Sequence, residues 1–378
     1  MHLKTIKIEE IENSNDFENL LNIAKERNFL RHLDKYSIHT LNLKKIKNFI
    51  IACVEEEQLK TRLKSKPYRV IIEPTNACNL GCQLCPTGLN ASDRKKGIMK
   101  LEKFKKIIDE VKEYCIEIHL YNWGEPTLNK HLVEMLKYTK ANNLWSRIST
   151  NLSLDFKENY LEELLKSGLS LIHVDVDGLD QDVYEKYRKK GNFDLVVKNL
   201  KKITKIKNDF NLKEPILELA MLSMRQNEHQ HDDFFKFGKE FDPDEIKVEK
   251  IQHNPNMDTK WLPTNKDHIY STYEGGNAPS RSAKDNETKP CHWPWSGIVI
   301  NWDGGVNPCC IIDDPKSDFS NINNETISNI WNSENYVSSR SEFGDKKEIK
   351  NNTICNVCKN QTHSKKLNRV SGSFAIKL

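Results

Sequence analysis

Three cysteines crowd one short stretch, Cys78, Cys82 and Cys85 within TNACNLGCQLCPTG, and no fourth lies near them. A structural zinc site, or an iron–sulfur site closed by protein, takes four ligands, so a local set of three reads as a metal centre with one position left open.

The remaining cysteines point the same way. The chain has 10 in 378 residues, and most fall into two sets, at 78 to 85 and at 291 to 358. The N-terminal MHLKTIKIEEIENSND is charged from the start and lacks the apolar core of a signal peptide. This predicts a cytoplasmic protein, whose thiols stay reduced and whose clustered cysteines ligate metal rather than each other. With 58 basic against 54 acidic residues the net charge is only +4, too little to argue for a nucleic-acid partner. No run of about 18 apolar residues offers a membrane span.

Apolar positions at helical spacing fill residues 1–66, in FENLLNIAKERNFLRHL and LNLKKIKNFIIACVEEEQL, and predict two or three helices there. From residue 68 the pattern changes. The short runs RVIIE, IEIHLY, RISTN, LIHVDV, ILELAML and EIKVEK alternate with helical periods at 101–114, 130–142, 158–167, 193–208 and 229–241. Such alternation predicts parallel βαβ units over residues 67–251, as an open doubly wound sheet or a partial barrel. Residues 252–290 read as a linker or long loop, and 291–378 as a turn-rich domain with one short helix near ETISNIWNSENYVSSR.

The stretch CNLGCQLC, just after the first strand, resembles the signature loop of the radical S-adenosylmethionine (SAM) enzymes. The resemblance implies an α/β fold with a partial (β/α)6 barrel. It implies that Cys78, Cys82 and Cys85 hold a [4Fe–4S] cluster whose open iron is chelated by SAM, and that SAM cleavage yields a 5′-deoxyadenosyl radical. Glu125 in NWGEP stands where the family accepts a hydrogen bond from the SAM amino group, and Ser149 and Asn151 in STN where it meets the ribose. Arg188 matches a position that pairs with the SAM carboxylate. Two residues depart from the family pattern: Leu84 replaces a frequent aromatic residue and is expected to pack against adenine, and Trp123 replaces the first glycine of the Gly-Gly-Glu-Pro element.

The second set comes from CHWPWSGIVINWDGGVNPCC at 291–310 and CNVC at 355–358. By spacing alone its four thiolates suit zinc or an iron–sulfur cluster equally. C-x12-G-x4-C, from Cys291 through Gly304 to Cys309, is similar to the start of the SPASM extension of one radical SAM branch. Ser364 stands where that extension continues its cysteine run. The resemblance is therefore to the shortened twitch form, with one auxiliary [4Fe–4S] cluster on Cys291, Cys309, Cys355 and Cys358. Cys310 is left as a replacement ligand or a small buried residue.

These readings lead to an oxidoreductase that takes hydrogen from a small polar substrate. A sugar, aminocyclitol or nucleotide-linked sugar is expected, with an alcohol oxidised to a ketone and a flavodoxin- or ferredoxin-type electron donor. Two alternatives stand beside it. One is a maturase of a ribosomally made peptide, against which counts the lack of strand signals for a leader-binding domain in residues 1–66. The other is a redox-neutral epimerase, with Cys310 or Cys115 donating hydrogen. Asp175 and Asp177 alternate along the fourth strand and are candidate substrate ligands. His119, His173, His253 and His292 read as structural residues. Trp293, Trp295, Trp302 and Trp331 read as packing of the C-terminal domain.

Overall fold

The computed structural model describes residues 6–253, 258–271, 291–344, 348–356 and 358. Ser364 and much of the expected linker lie outside the described residues.

The N-terminal region is helical: α1 (Ile8–Asn13), α2 (Phe17–Glu26) and α3 (Leu43–Glu57). Asp16 and Asn42 cap α2 and α3 by accepting from Asn19 N and Lys45 N at 3.0 Å each. Their apolar faces form a separate core in which Phe49 and Ile50 of α3 pack with Tyr68 and Ile116, the residues that lead into the first two strands. The region thus covers the N-terminal end of the sheet.

The strands expected from the sequence are all present: β1 (Arg69–Ile72), β2 (Glu117–His119), β3 (Trp145–Thr150), β4 (Leu171–Asp175), β5 (Ile216–Leu222) and β6 (Glu245–Glu249). They pair in parallel, in order. Between them run α4 (Leu101–Val111), α5 (Leu132–Ala141), α6 (Glu158–Leu165), α7 (Gln181–Tyr187), α8 (Phe193–Asp209) and α9 (His231–Lys239). The outer face is apolar: Val70, Ile118, Ile148, Ile172 and Leu219 join Phe104, Leu136, Leu164 and Leu200 of the helices in one core. Helix α7 is absent from the sequence reading because seven residues hold too little period to register. Asp180 caps it, accepting from Val183 N at 2.8 Å.

The expected linker holds more structure than its composition suggests. β7 (Ile251–His253) and β8 (Ile269–Ser271) pair as a two-stranded parallel sheet. Beyond it, α10 (Trp293–Ser296) leads into β9 (Gly297–Ile300), β10 (Gly305–Asn307) and β11 (Ser320–Asn321). β9 runs parallel to β1, Arg69 opposite Gly297 and Ile72 opposite Ile300, so the hairpin β9–β10, with β11 beside it, extends the barrel sheet to nine strands. The one helix expected near the C-terminus is two, α11 (Ile327–Trp331) and α12 (Glu334–Ser341). The break falls at Asn332, whose side chain accepts from Leu63 N at 3.0 Å and donates to Leu63 O at 2.8 Å.

Candidate functional site

The cysteine loop leaves the C-terminal end of β1, the end at which parallel βα folds gather their sites. Asn76 fixes its base, donating to Lys95 O at 3.0 Å and accepting from Gly97 N at 2.9 Å. The loop then lies against the end of α7, with Gly81 N donating to Lys189 O at 2.8 Å and Gln83 N to Tyr187 O at 3.3 Å. Cys78, Cys82 and Cys85 are close enough to raise one another's pKa, after the larger effect of burial, which lifts Cys78 to about 11 and Cys82 to about 12. Buried thiols of this kind become thiolates when a metal supplies the compensating charge. Among the described residues no three His, Cys, Asp or Glu side chains are placed to share a single metal ion. A cluster that offers a different iron to each thiolate suits such a set.

The residues expected around SAM are brought to the same end of the sheet. Glu125 is 3% exposed and its carboxylate is already well occupied. Oε1 accepts from Thr127 Oγ1 at 2.6 Å and Thr150 Oγ1 at 2.8 Å, and Oε2 from Asn151 N at 2.9 Å. It locks the loop after β2 to the end of β3, a role its motif does not reveal. A Cβ on the neighbouring Gly124 would come within 2.0 Å of Thr75 O, so only glycine lets this loop pass so close to the cysteine loop. Asn151 donates to Asn79 Oδ1 at 3.0 Å and points the same amide at Cys78 Sγ, 3.9 Å away. Arg188 donates through Nε to Asp177 at 2.6 Å, lies 3.3 Å from Asp175 through Nη2, and aims Nη1 at Cys82 Sγ, 4.0 Å away.

Leu84 is buried, in a cluster with Leu80, Tyr187, Met224, Ile251 and Ile269 that packs beside the cysteine loop. Asp177 is fully buried, accepts from Leu222 N at 2.8 Å and anchors Arg188. Asp175 is the more open of the pair, its side chain 25% exposed.

Below Asp175 the inner face of the sheet carries a charged network that the sequence reading missed. Ser149 donates to Asp175 at 3.0 Å, and His173 contacts Asp175 through Nε2 at 3.3 Å and Glu218 through Nδ1. Arg147 donates to Glu218 at 2.8 Å, and Lys247 pairs with the same carboxylate at 2.7 Å. Burial would lower the His173 pKa, but the Asp175 charge and the hydrogen bonds its ring donates to both carboxylates raise it to about 9. Burial would lift Asp175, yet Arg188 and His173 hold it well below the usual carboxylate range. The signal was available: Arg147, His173, Glu218 and Lys247 sit at inward positions of adjacent strands, where a purely structural barrel would place aliphatic residues. Further down, Arg69 donates to Glu117 at 2.6 Å, and Asp34 N and Ser37 Oγ of the helical cap donate to Glu117 at 2.6 and 3.1 Å.

The second cysteine set assembles from distant segments. Cys309 is raised first by burial, then by Cys310, Cys291 and Cys355, and Cys355 in turn by Cys291 and Cys358. Those mutual effects put Cys291, Cys309, Cys355 and Cys358 within electrostatic reach of one another. Cys310 lies in the same neighbourhood, raising Cys309 and Cys291, and it also shares its field with Arg69 and Tyr121. Trp295 and Trp331 pack this domain, donating to Lys60 O at 2.8 Å and Ser65 O at 2.9 Å. Trp302 is more exposed and stacks over Gly97, where a Cβ would meet its ring at 2.3 Å. Arg94, held by Asp303 at 2.6 Å and Asp318 at 2.5 Å, fastens the arm of the cysteine loop to the same hairpin.

Comparison with known proteins agrees with this architecture. Residues 72–217 match the Radical SAM superfamily and residues 291–359 the SPASM iron–sulfur cluster-binding domain. Among curated relatives, the PqqA peptide cyclase of Bradyrhizobium diazoefficiens is 27% identical over 50% of this chain and 47% of its own length. The mycofactocin maturase MftC of Mycolicibacterium smegmatis is 26% identical over 44% of this chain and 41% of its own. A GTP 3′,8-cyclase of Desulforamulus reducens is 25% identical over 45% and 51%. The chain thus spans about half the length of the curated relatives it matches. Streptococcus suis SuiB, solved with S-adenosylmethionine, shares the fold with a TM-score of 0.61 at 17% identity, over 91% of this chain and 85% of that one. The first domain brings SAM and a [4Fe–4S] cluster as cofactors and the second an auxiliary iron–sulfur cluster. Among the described residues no helix is long and apolar enough to cross a membrane. The chain therefore joins a region that matches the Radical SAM model, built on the loop after β1, to one that matches the SPASM model and whose first strands extend the same sheet.

Proposed function

We propose that this protein is a radical SAM enzyme that modifies a peptide substrate, with Cys78, Cys82 and Cys85 holding the SAM-binding cluster and Cys291, Cys309, Cys355 and Cys358 a single auxiliary one. The observation that carries the reading is the SPASM domain following the radical SAM domain, an arrangement accompanied by two relatives named for peptide cyclisation and maturation. When bound, SAM and its cluster supply a 5′-deoxyadenosyl radical that removes a hydrogen atom from carbon. The chain's own contribution is positional. Arg188, fixed by Asp177, presents its guanidinium next to Cys82, and Glu125 and Asn151 hold the adjoining loops in register. Asp175, ionised and partly open, would orient a substrate on the inner face by accepting hydrogen bonds from it.

Residues 6–66 are helical, with no strand among those described, so a leader peptide that binds by strand addition finds no edge there. Oxidation of a small polar alcohol, the leading expectation from sequence, keeps support from the charged inner face and from the relative named for GTP. The two readings separate in one assay. Reconstituted protein is incubated anaerobically with SAM and reductant, first with a short peptide encoded beside its gene and then with sugar nucleotides. Loss of two hydrogens from the peptide, absent with Cys78→Ala, supports the proposal; turnover of a sugar alone refutes it.

A further inference from the structure

The segment that follows Cys309 reaches the arm of the first cysteine loop. Cys309 belongs to the second set. Four residues on, Asp313 O accepts from Ser92 Oγ at 3.5 Å. Four peptide steps reach at most about 14 Å. Against this strap lies Trp123, the residue that departs from the glycine of the family pattern. Its indole Nε1 donates to Ile312 O at 3.1 Å, and its backbone N donates to Glu73 Oε1 at 3.2 Å. Glu73, buried just beyond β1, accepts from Trp302 N with its other oxygen at 3.4 Å. One buried carboxylate therefore pins the backbone of both tryptophans, one in the loop that leads to Glu125 and one in the SPASM hairpin.

We propose that Trp123 is a positioning residue that couples the two centres: its indole N–H ties the Glu125 loop to residues 309–313, so that SAM binding beside the first set tightens the strap that carries the second. A glycine at this position would have no group able to reach Ile312. The inference rests on SAM binding beside residues 122–125, and it concerns the chain whatever the substrate is.

The test needs no turnover. Hydrogen–deuterium exchange of protein carrying both clusters is followed in peptides covering residues 309–314, with and without SAM, while SAM affinity is measured in parallel. In the wild type SAM is expected to slow exchange there about three- to tenfold, the range of one neutral hydrogen bond. Trp123→Phe keeps an aromatic ring without the N–H, and is expected to lose most of that protection while still binding SAM. Should the Phe variant fail to retain its clusters, Trp123→His, which keeps a ring N–H, is read in its place and is expected to hold the protection. Bound SAM without protection in the wild type, full protection in Trp123→Phe, or its loss in Trp123→His overturns the proposal. Failure of the wild type to bind SAM overturns both this inference and the cofactor reading beneath it.

Discussion

The two cysteine centres are built on opposite plans. Cys78, Cys82 and Cys85 lie on one loop, and its geometry is set by contacts with the neighbouring βα loops, such as Gly81 N to Lys189 O. Cys291, Cys309, Cys355 and Cys358 arrive from segments far apart in sequence and meet only when β9, β10, α11 and α12 have packed. A local centre tolerates distant damage, because its ligands are adjacent in the chain whatever the rest does. A composite centre inherits the stability of every element that delivers a ligand.

The largest test of that contrast is iron content. With two cubanes of four, anaerobically reconstituted protein should hold about eight irons. Cys78→Ala/Cys82→Ala/Cys85→Ala should retain about four and lose SAM cleavage, and Cys355→Ala/Cys358→Ala should retain the other four. If either variant empties both centres, they are one cooperative unit and the contrast fails.

Arg340 gives a sharper and smaller test. It is fully buried in α12 and donates to Pro294 O and Trp331 O at 2.8 Å and Thr61 O at 3.0 Å, stacked 4.6 Å from the Trp331 ring. Its side chain thus ties together the segments leading to Cys291 and Cys355. Removing it strands three buried carbonyls, a loss of about 3 kcal/mol or more. Arg340→Ala should therefore melt at lower temperature and shed the auxiliary irons while keeping the irons of the first loop. Retention of all iron would show that the composite centre is sturdier than its construction implies.

The seam between the two regions offers the finest probe. Burial raises the Glu73 pKa to about 7, above its ordinary 4.5, although Trp123 N and Trp302 N donate to it. Because the folded form holds its proton more tightly than the unfolded one, Glu73 favours folding at low pH. That contribution is lost as pH rises from about 5 through 7. Thermal melts of wild type and Glu73→Gln should agree most closely near pH 5, where both side chains are neutral, and separate as pH rises through 7, with the variant showing the flatter profile. Identical pH profiles would place the carboxylate outside the seam's energetics.

Legibility in the sequence divides along the same line. The cysteine loop, the six strands and the hairpin around WDGG are set by local pattern, and each lies where its spacing put it. The positions of Glu125, Ser149, Asn151 and Arg188 at one end of the sheet follow from the ends of those strands. What could not be read is what reaches across the chain. Nothing near Arg94 points to Asp303 and Asp318, nothing near Arg340 to Thr61, and GIVI announces a strand without announcing β1 as its neighbour. The burial of Leu84 is of the same kind: Met224, Ile251 and Ile269 of its cluster lie well over a hundred residues away.

That pairing of β9 with β1 has a consequence for the chain as it is made. β1 leaves the ribosome well before the neighbour that covers its outer edge, Gly297–Ile300. Until then the nascent sheet shows a bare parallel edge, the kind of surface that recruits stray strands. Pairings over such sequence distances also form slowly. The SPASM hairpin therefore acts as a built-in edge guard for the domain before it, and chains halted after β6 should be the ones that aggregate.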